Sequence, residues 1–146
     1  MRIFLDANIL CSGAKSDGAV RQLLRLTMDA GHECWIDTYV EAEARRNLVA
    51  KAPKSVVTLE ALLADCHSGP FLPITPEIDN ALSNLPADDR PVLAAAIRLG
   101  CEVLITGDKT HLGSLYGGRV RGVAVHSPAS FLSGVLRGKR NHNQAL

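Results

Sequence analysis

Short, wholly apolar runs alternate along this chain with longer segments whose apolar residues recur every three or four positions. Ile3-Phe4-Leu5 is the first such run. It meets Asp6 and then Ala7-Asn8-Ile9-Leu10, and reads as a buried strand followed by a turn into polar residues. From Asp17 onward, Val20, Leu23, Leu24 and Met28 keep helical spacing, with Ser16 or Asp17 as N-cap and Gly31 as the stop. Glu33-Cys34-Trp35-Ile36-Asp37 predicts a second strand. Thr38, with Glu41 three residues later, has the capping-box spacing that opens a helix reaching Lys51. A third helix is expected from Ser55 to Asp65, carrying Val56, Leu59, Leu62 and Leu63 on one side.

The punctuation of Ser68-Gly69-Pro70 precedes Phe71-Leu72-Pro73-Ile74, a short strand that Pro73 confines to a sheet edge. A short helix is expected from Pro76 to Leu85, then a loop and cap at Pro86-Ala87-Asp88-Asp89. A helix rich in small residues follows from Arg90 to Leu99, ended by Gly100. Glu102-Val103-Leu104-Ile105-Thr106 is the clearest buried strand. Val123-Ala124-Val125 makes one more, before a last helix from Ala129 to Leu136 and a basic, frayed tail over residues 137–146.

This alternation predicts an α/β fold with a mostly parallel, right-handed, doubly wound sheet covered on both faces. A chain of 146 residues, 47% of them hydrophobic, suffices for one domain over residues 1–136 with a real core. With 16 basic and 15 acidic residues the net charge is only +1, so a face for a polyanion has to be local. No apolar stretch is long enough for a membrane span, and the first residues are too short and too soon charged for a signal peptide. The expected location is therefore cytoplasmic, with no membrane partner. Cys11, Cys34, Cys66 and Cys101 lack zinc-site spacing and are expected to be small buried hydrophobes.

Functional crevices of open parallel sheets lie beyond the carboxyl ends of the strands, and in this chain those positions are mostly acids. Asp6 ends the first strand, Asp108 follows the strand at 103–106, Glu43 lies in the first turns of a helix, and Asp88-Asp89 opens another. Two bare carboxylates about 4 Å apart repel by roughly 4 kcal/mol at an effective dielectric near 20, so several together need protons or a cation. All-oxygen ligation favours Mg2+ or Mn2+, which activate water and clamp a phosphodiester. Each acid also has a structural explanation. Asp6 and Asp108 suit turns, Glu43 a solvated helix face, and one of Asp88 and Asp89 has to cap the helix that Pro91 begins. Glu41 is accounted for by the capping box, which leaves Glu43 as the freer acid. His111 follows Asp108 closely enough to reach a phosphate, whereas His32, His67, His126 and His142 have no supporting pattern and most are expected in solvated loops. Arg45, Arg46, Lys109, Arg119 and Arg121, with the basic tail, are candidate phosphate contacts.

Four segments, in this order and spacing, resemble the PIN-domain endoribonucleases, to which the VapC-type toxins belong. They are Phe4-Leu5-Asp6-Ala7-Asn8-Ile9-Leu10, Glu43-Ala44-Arg45-Arg46-Asn47-Leu48, Asp88-Asp89-Arg90-Pro91-Val92-Leu93-Ala94-Ala95-Ala96 and Leu104-Ile105-Thr106-Gly107-Asp108-Lys109. The resemblance runs from Arg2 to Leu132. It implies a PIN-like three-layer α/β/α sandwich and a catalytic, metal-binding set of Asp6, Glu43, Asp89 and Asp108. Asp88 is then a supporting ligand or the cap, and Asn8 and Thr106 hydrogen-bond behind the ligands. The family commonly has a further acid two residues after the position of Asp108, where this chain has Thr110. The implied activity is Mg2+- or Mn2+-dependent hydrolysis of RNA, leaving a 5′-phosphate and a 3′-hydroxyl. The implied role is the toxin of a toxin–antitoxin pair, with a cognate antitoxin and a second copy of the chain as partners.

A haloacid-dehalogenase phosphatase would need an acid where Asn8 stands. Nucleotide-binding enzymes would need a glycine-rich phosphate loop that does not occur, and a receiver-like domain fits the spread of acids less well. The competing reading is a non-catalytic PIN-like scaffold that binds RNA or protein.

Overall fold

Ile3, Phe4, Leu5, Leu104 and Ile105 are all sealed from solvent. Successive strand residues point to opposite faces, so the strands that carry them must be covered on both. The structure, a computed structural model, describes residues 1–136; the expected basic tail lies outside the described residues. Among these, β1 (Arg2–Leu5), β2 (Glu33–Asp37), β3 (His67–Gly69), β4 (Val103–Ile105), β5 (Arg119–Val120) and β6 (Val123–His126) form one sheet in the order β3-β2-β1-β4-β6-β5. Every pairing is parallel except that of β5 with β6. The chain moves outward from β1 through β2 to β3, then returns to the other side of β1 with β4. The carboxyl ends of β1 and β4 therefore flank the point where the winding reverses, which is where such sheets place their crevice.

The helices are α1 (Ala7–Lys15), α2 (Ala19–Asp29), α3 (Thr38–Lys51), α4 (Val56–Ala64), α5 (Pro76–Ala81), α6 (Arg90–Arg98), α7 (Lys109–Leu112) and α8 (Pro128–Phe131). α1 packs on α2, α3 and α4, while α6 lies against β4 and β6, and α8 against β6. Leu93, Ala94, Ala95 and Ala96 are the buried positions of α6, whose small side chains let it sit close to the sheet. Cys11, Cys34 and Cys101 are buried and Cys66 half-buried, all as free thiols. On the sheet surface Trp35 is held between the Arg2 guanidinium, 4.7 Å from its ring centre, and His67, stacked at 5.1 Å. No described helix is long and apolar enough to cross a membrane.

Several local expectations need correction. The segment after Asp6 is a helix, not a turn: Ala7, Leu10, Cys11 and Ala14 hold helical spacing and are buried, and Asp6 caps them. The cap of α3 is Asp37, whose carboxylate accepts from Val40 N at 2.9 Å, so Thr38 and Glu41 form no capping box; the Thr38 hydroxyl accepts from Phe71 N at 3.0 Å instead. The edge strand is β3, not residues 71–74. Pro70 and Pro73 lack the N–H groups a ladder needs, and the carbonyls of Leu72 and Pro73 accept from the Arg98 guanidinium. Asp89 occupies the cap position of α6 behind a 3-10 turn at Ala87–Asp89, yet its side chain makes no capping bond. The helix expected from Pro76 to Leu85 stops at Ala81. The last helix begins at Pro128, capped reciprocally by Ser127 and Ser130, and becomes a π-turn over Leu132–Leu136. His126 is no loop residue: it ends β6, half-buried, 3.0 Å from the Ser130 hydroxyl.

The β5–β6 hairpin places Val120 opposite Val123, which leaves Arg121 and Gly122 as its loop with φ of 51° and 84°. Positive φ at both positions matches the strand twist, but for arginine it costs about 1–2 kcal/mol. The 3.8 Å pair of Arg121 with Glu77 is exposed and offsets little of that. Arg121→Asn is expected to raise stability by about 0.5–1 kcal/mol, and Gly122→Ala to lower it by about 1 kcal/mol. Urea midpoints at constant m-value check both; a midpoint moved by neither change would mean the hairpin lies outside the cooperative unit.

Candidate active site

At the carboxyl edge of the sheet, Asp6 N donates to Ile105 O at 3.1 Å and Thr106 N to His126 O at 3.0 Å, so the residues leaving β1 and β4 stay in register beyond the strands. Asp6 is 8% exposed. Its Oδ1 accepts from Ala7 N at 2.7 Å, capping α1, and its Oδ2 accepts from the Thr106 hydroxyl at 2.8 Å and from Asn8 Nδ2 at 3.4 Å. The other end of the Asn8 amide accepts from Gly107 N at 2.8 Å, and the Thr106 hydroxyl accepts from Asp108 N at 3.1 Å. Asn8 and Thr106 thus bind the turn after β4 to the carboxylate after β1.

Asp108 caps α7 through His111 N at 3.2 Å, and its Oδ2 lies 2.9 Å from His111 Nδ1, which is in turn 3.9 Å from Asp89 Oδ1. Glu43 projects from the second turn of α3, and Asp88 and Asp89 come from the 3-10 turn before α6. Asp6, Glu43, Asp88, Asp89 and Asp108 line one cleft of about 230 Å³, with Asn8, Tyr39, Asn47 and His111 in its walls.

The electrostatics of the cleft are those of crowded, half-dry carboxylates. Burial pushes the Asp6 carboxyl up against the pull of its hydrogen bonds to Thr106 and Ala7, and the charge of Asp108 adds to the rise. Glu43 is raised by burial and then by Asp6. The Tyr39 phenol is raised by burial and then by Glu43. The hydrogen bond and charge of Asp108, followed by the charge of Asp89, hold His111 above its ordinary range. A positive group is favoured wherever it can approach these acids.

One oxygen lacks a hydrogen-bond partner among the described residues. Asp89 Oδ2 is sealed from solvent and accepts no hydrogen bond among the described residues; the only other such side-chain atom is Trp35 Nε1. An ionisable acceptor left bare in this way costs at least about 1–3 kcal/mol. One ligand atom each from Asp89, Asp108 and His111 falls within a common 4.8 Å. A bare buried oxygen beside this set fits a small divalent cation. The oxygen-rich surroundings suit Mg2+ or Mn2+, and the imidazole adds a nitrogen donor that all-oxygen expectations omitted.

Other positions lie elsewhere. Arg45 is held by Glu60 of α4 at 2.7 and 3.1 Å and does not line the cleft. Arg46 is close enough to lower the pKa of both Glu43 and Tyr39. Lys109 opens α7 and packs its stem against Gly113. Glu41, freed of its supposed capping role, is not in the cleft wall. Tyr39 and Asn47 were missed in the sequence, although each lies four residues from Glu43 and therefore one turn away on the same helix face.

No protein-family model matches the chain, and no curated protein does. Solved structures do share its fold. A chain of VapBC2 from Rickettsia felis bound to a DNA fragment from their promoter superposes with a TM-score of 0.66 at 16% identity, covering 87% of this chain and 98% of that one. A chain of DNA-bound VapBC from Salmonella typhimurium gives 0.64 at 14% identity, covering 88% and 98%. A chain of VapBC-1 from nontypeable Haemophilus influenzae gives 0.58 at 16% identity, covering 88% and 99%. The fold is PIN-like, as the sequence resemblance implied.

Because Asp6, Glu43 and His111 are all raised, the metal-free folded chain binds protons more tightly than the unfolded one. Their contribution to stability is fully present below the ordinary values of 3.8, 4.5 and 6.5 and is lost as pH rises through the raised ones. In chelator, the thermal midpoint of Asp6→Asn is expected to fall less, or climb more, than that of the wild type as pH rises above 3.8. The same pH dependence in wild type and Asp6→Asn would contradict the assignment.

Proposed function

We propose that this chain is a divalent-metal-dependent endoribonuclease that hydrolyses RNA phosphodiester bonds and serves as the toxin of a toxin–antitoxin pair. The observation that carries the reading is the bare, buried Oδ2 of Asp89 in a cleft that Asp6, Glu43, Asp88 and Asp108 share. The likeness to VapBC chains supports the toxin role and a cognate antitoxin as partner; a second copy of the chain and a cytoplasmic location belong to the same proposal.

Asp6, Glu43, Asp89 and Asp108 would hold the ion, with Asp88 and His111 beside them. Bound there, Mg2+ or Mn2+ supplies Lewis-acid stabilisation of the phosphoryl oxygens and a more acidic water. The chain's own part is to fix the ligands. Thr106 and Asn8 set the plane of the Asp6 carboxylate, and the Asp108 backbone N–H bound to Thr106 places the second acid from the same hydroxyl. In the hydrolysis, a water oxygen would bond to phosphorus as the bond to the 3′-oxygen breaks, and one of the water's protons would end on that 3′-oxygen, giving a 3′-hydroxyl and a 5′-phosphate. Arg46, close enough to act on Glu43 and Tyr39, and Lys109 would contact flanking phosphates. The competing scaffold reading keeps the fold and RNA binding but not the cutting.

Purified protein mixed with labelled RNAs is expected to cut them with Mg2+ or Mn2+ and to leave them whole in EDTA. Asp89→Asn is expected to lose about a hundredfold or more in rate, the equivalent of a few kcal/mol of charge stabilisation. Bound but uncut RNA under every condition would shift the case to the scaffold. Thr106→Ala, acting only through Asp6 and Asp108, is expected to weaken metal affinity about 10- to 100-fold by calorimetry, with Thr106→Ser restoring it. Equal affinity in Thr106→Ala would remove the positioning role.

A further inference from the structure

α7 is one turn of four residues, and its cap decides which side chain meets the acids. Asp108 accepts from His111 N at 3.2 Å, the bond of an N-cap to the third residue of its helix, so the imidazole is drawn back over the carboxylate. Its Nδ1 lies 2.9 and 3.1 Å from the two oxygens of Asp108 and 3.9 Å from Asp89 Oδ1. His111 forms part of the cleft wall, whereas its neighbours Lys109 and Thr110 are exposed and line no part of it. An ion pair within one turn accounts for the contact with Asp108. It accounts neither for the approach to Asp89, which comes from the turn before α6, nor for the sealed second oxygen of Asp89.

The separations are those of ligands around one ion. Two donors about 2.1 Å from an ion are about 3 Å apart when they bind at right angles and about 4.2 Å apart when they bind on opposite sides. The distance from Nδ1 to Asp108 Oδ2 matches the first, and that to Asp89 Oδ1 lies between the two. One donor atom from each of the three residues falls within a common 4.8 Å. The His111 side chain is more than half exposed, so water can meet its second ring nitrogen once the first is engaged.

We propose that His111 Nδ1 is itself a metal ligand, and that it makes the cation site a mixed nitrogen and oxygen site that takes a first-row transition ion, Mn2+ or Co2+, in preference to Mg2+. The inference rests on the metal-dependent reading above and deepens it by naming the class of ion. Mg2+ gives up its waters reluctantly and is held through carboxylate oxygens, so a neutral nitrogen adds little to its binding. Imidazole suits transition ions, whose affinity for a site with such a donor rises from Mn2+ to Co2+. Charge favours the same donor. Five carboxylates already share the cleft, and an imidazole adds a ligand without adding a sixth negative charge.

The test needs no turnover: calorimetry and pulsed electron paramagnetic resonance on the full chain without RNA. Affinity is expected to rise from Mg2+ to Mn2+ to Co2+, with Mn2+ favoured over Mg2+ by at least about tenfold. His111→Asp, which puts an oxygen donor in place of the nitrogen, is expected to bring that ratio within about threefold. His111→Ala is expected to weaken Mn2+ and Co2+ by at least about tenfold and Mg2+ by less. Bound Mn2+ in the wild type is expected to show coupling to an imidazole nitrogen. Both His111 variants lose it, and His67→Ala, changed at the first residue of β3, keeps it. Mn2+ bound without nitrogen coupling, or an equal Mn2+ to Mg2+ ratio in wild type and His111→Asp, overturns the ligand and leaves the metal-dependent ribonuclease standing. Nitrogen coupling in a protein whose Mn2+ form leaves RNA whole upholds the ligand and sinks the ribonuclease. A wild type that binds no divalent ion overturns both.

Discussion

The carboxylate of Asp6 lies where three elements have to agree. It is the residue after β1, the cap of α1 and the acceptor for the hydroxyl that follows β4. A buried acid with fewer partners would be expensive, since desolvation alone drives it toward its neutral form. Its hydrogen bonds offset part of that cost, and they do so by joining the two central strands at the reversal of the sheet. The rest of the site inherits this arrangement: Thr106 passes a bond on to Asp108, and Asn8 passes one on to Gly107.

The crowding of acids in the cleft works against the fold. Asp6 and Asp108 repel, Glu43 feels Asp6, and an imidazole draws toward Asp108 and Asp89. A site of this kind is held by what surrounds it rather than by its own contacts. The buried residues of β1, β4 and α6 supply that support beneath the cleft.

Much of this was legible in the residues. Wholly apolar strands announce burial on both faces, and acids at strand ends announce a crevice, so the sheet core and the acid set could be named without coordinates. The misreadings have a common cause: local polar chemistry admits several structures that only tertiary contact decides. The residues after Asp6 read as a turn until the buried stripe of Ala7, Leu10, Cys11 and Ala14 is counted. Thr38 can cap a helix, but the preceding Asp37 caps it and the hydroxyl is used by a loop thirty-three residues away. His111 illustrates another limit. The acid expected at residue 110 is absent, and the imidazole one place further on lies between Asp108 and Asp89, which only the turn of α7 reveals.

The sheet ends in β3 and β5, of three and two residues. An open strand edge invites another chain to extend the ladder, and edges this brief offer too few free amide and carbonyl groups to hold one. Growth by sheet extension is thereby discouraged on both flanks. Any assembly this molecule enters is directed to its helical faces, where geometry can limit the number of copies, and away from the open-ended stacking that produces fibres.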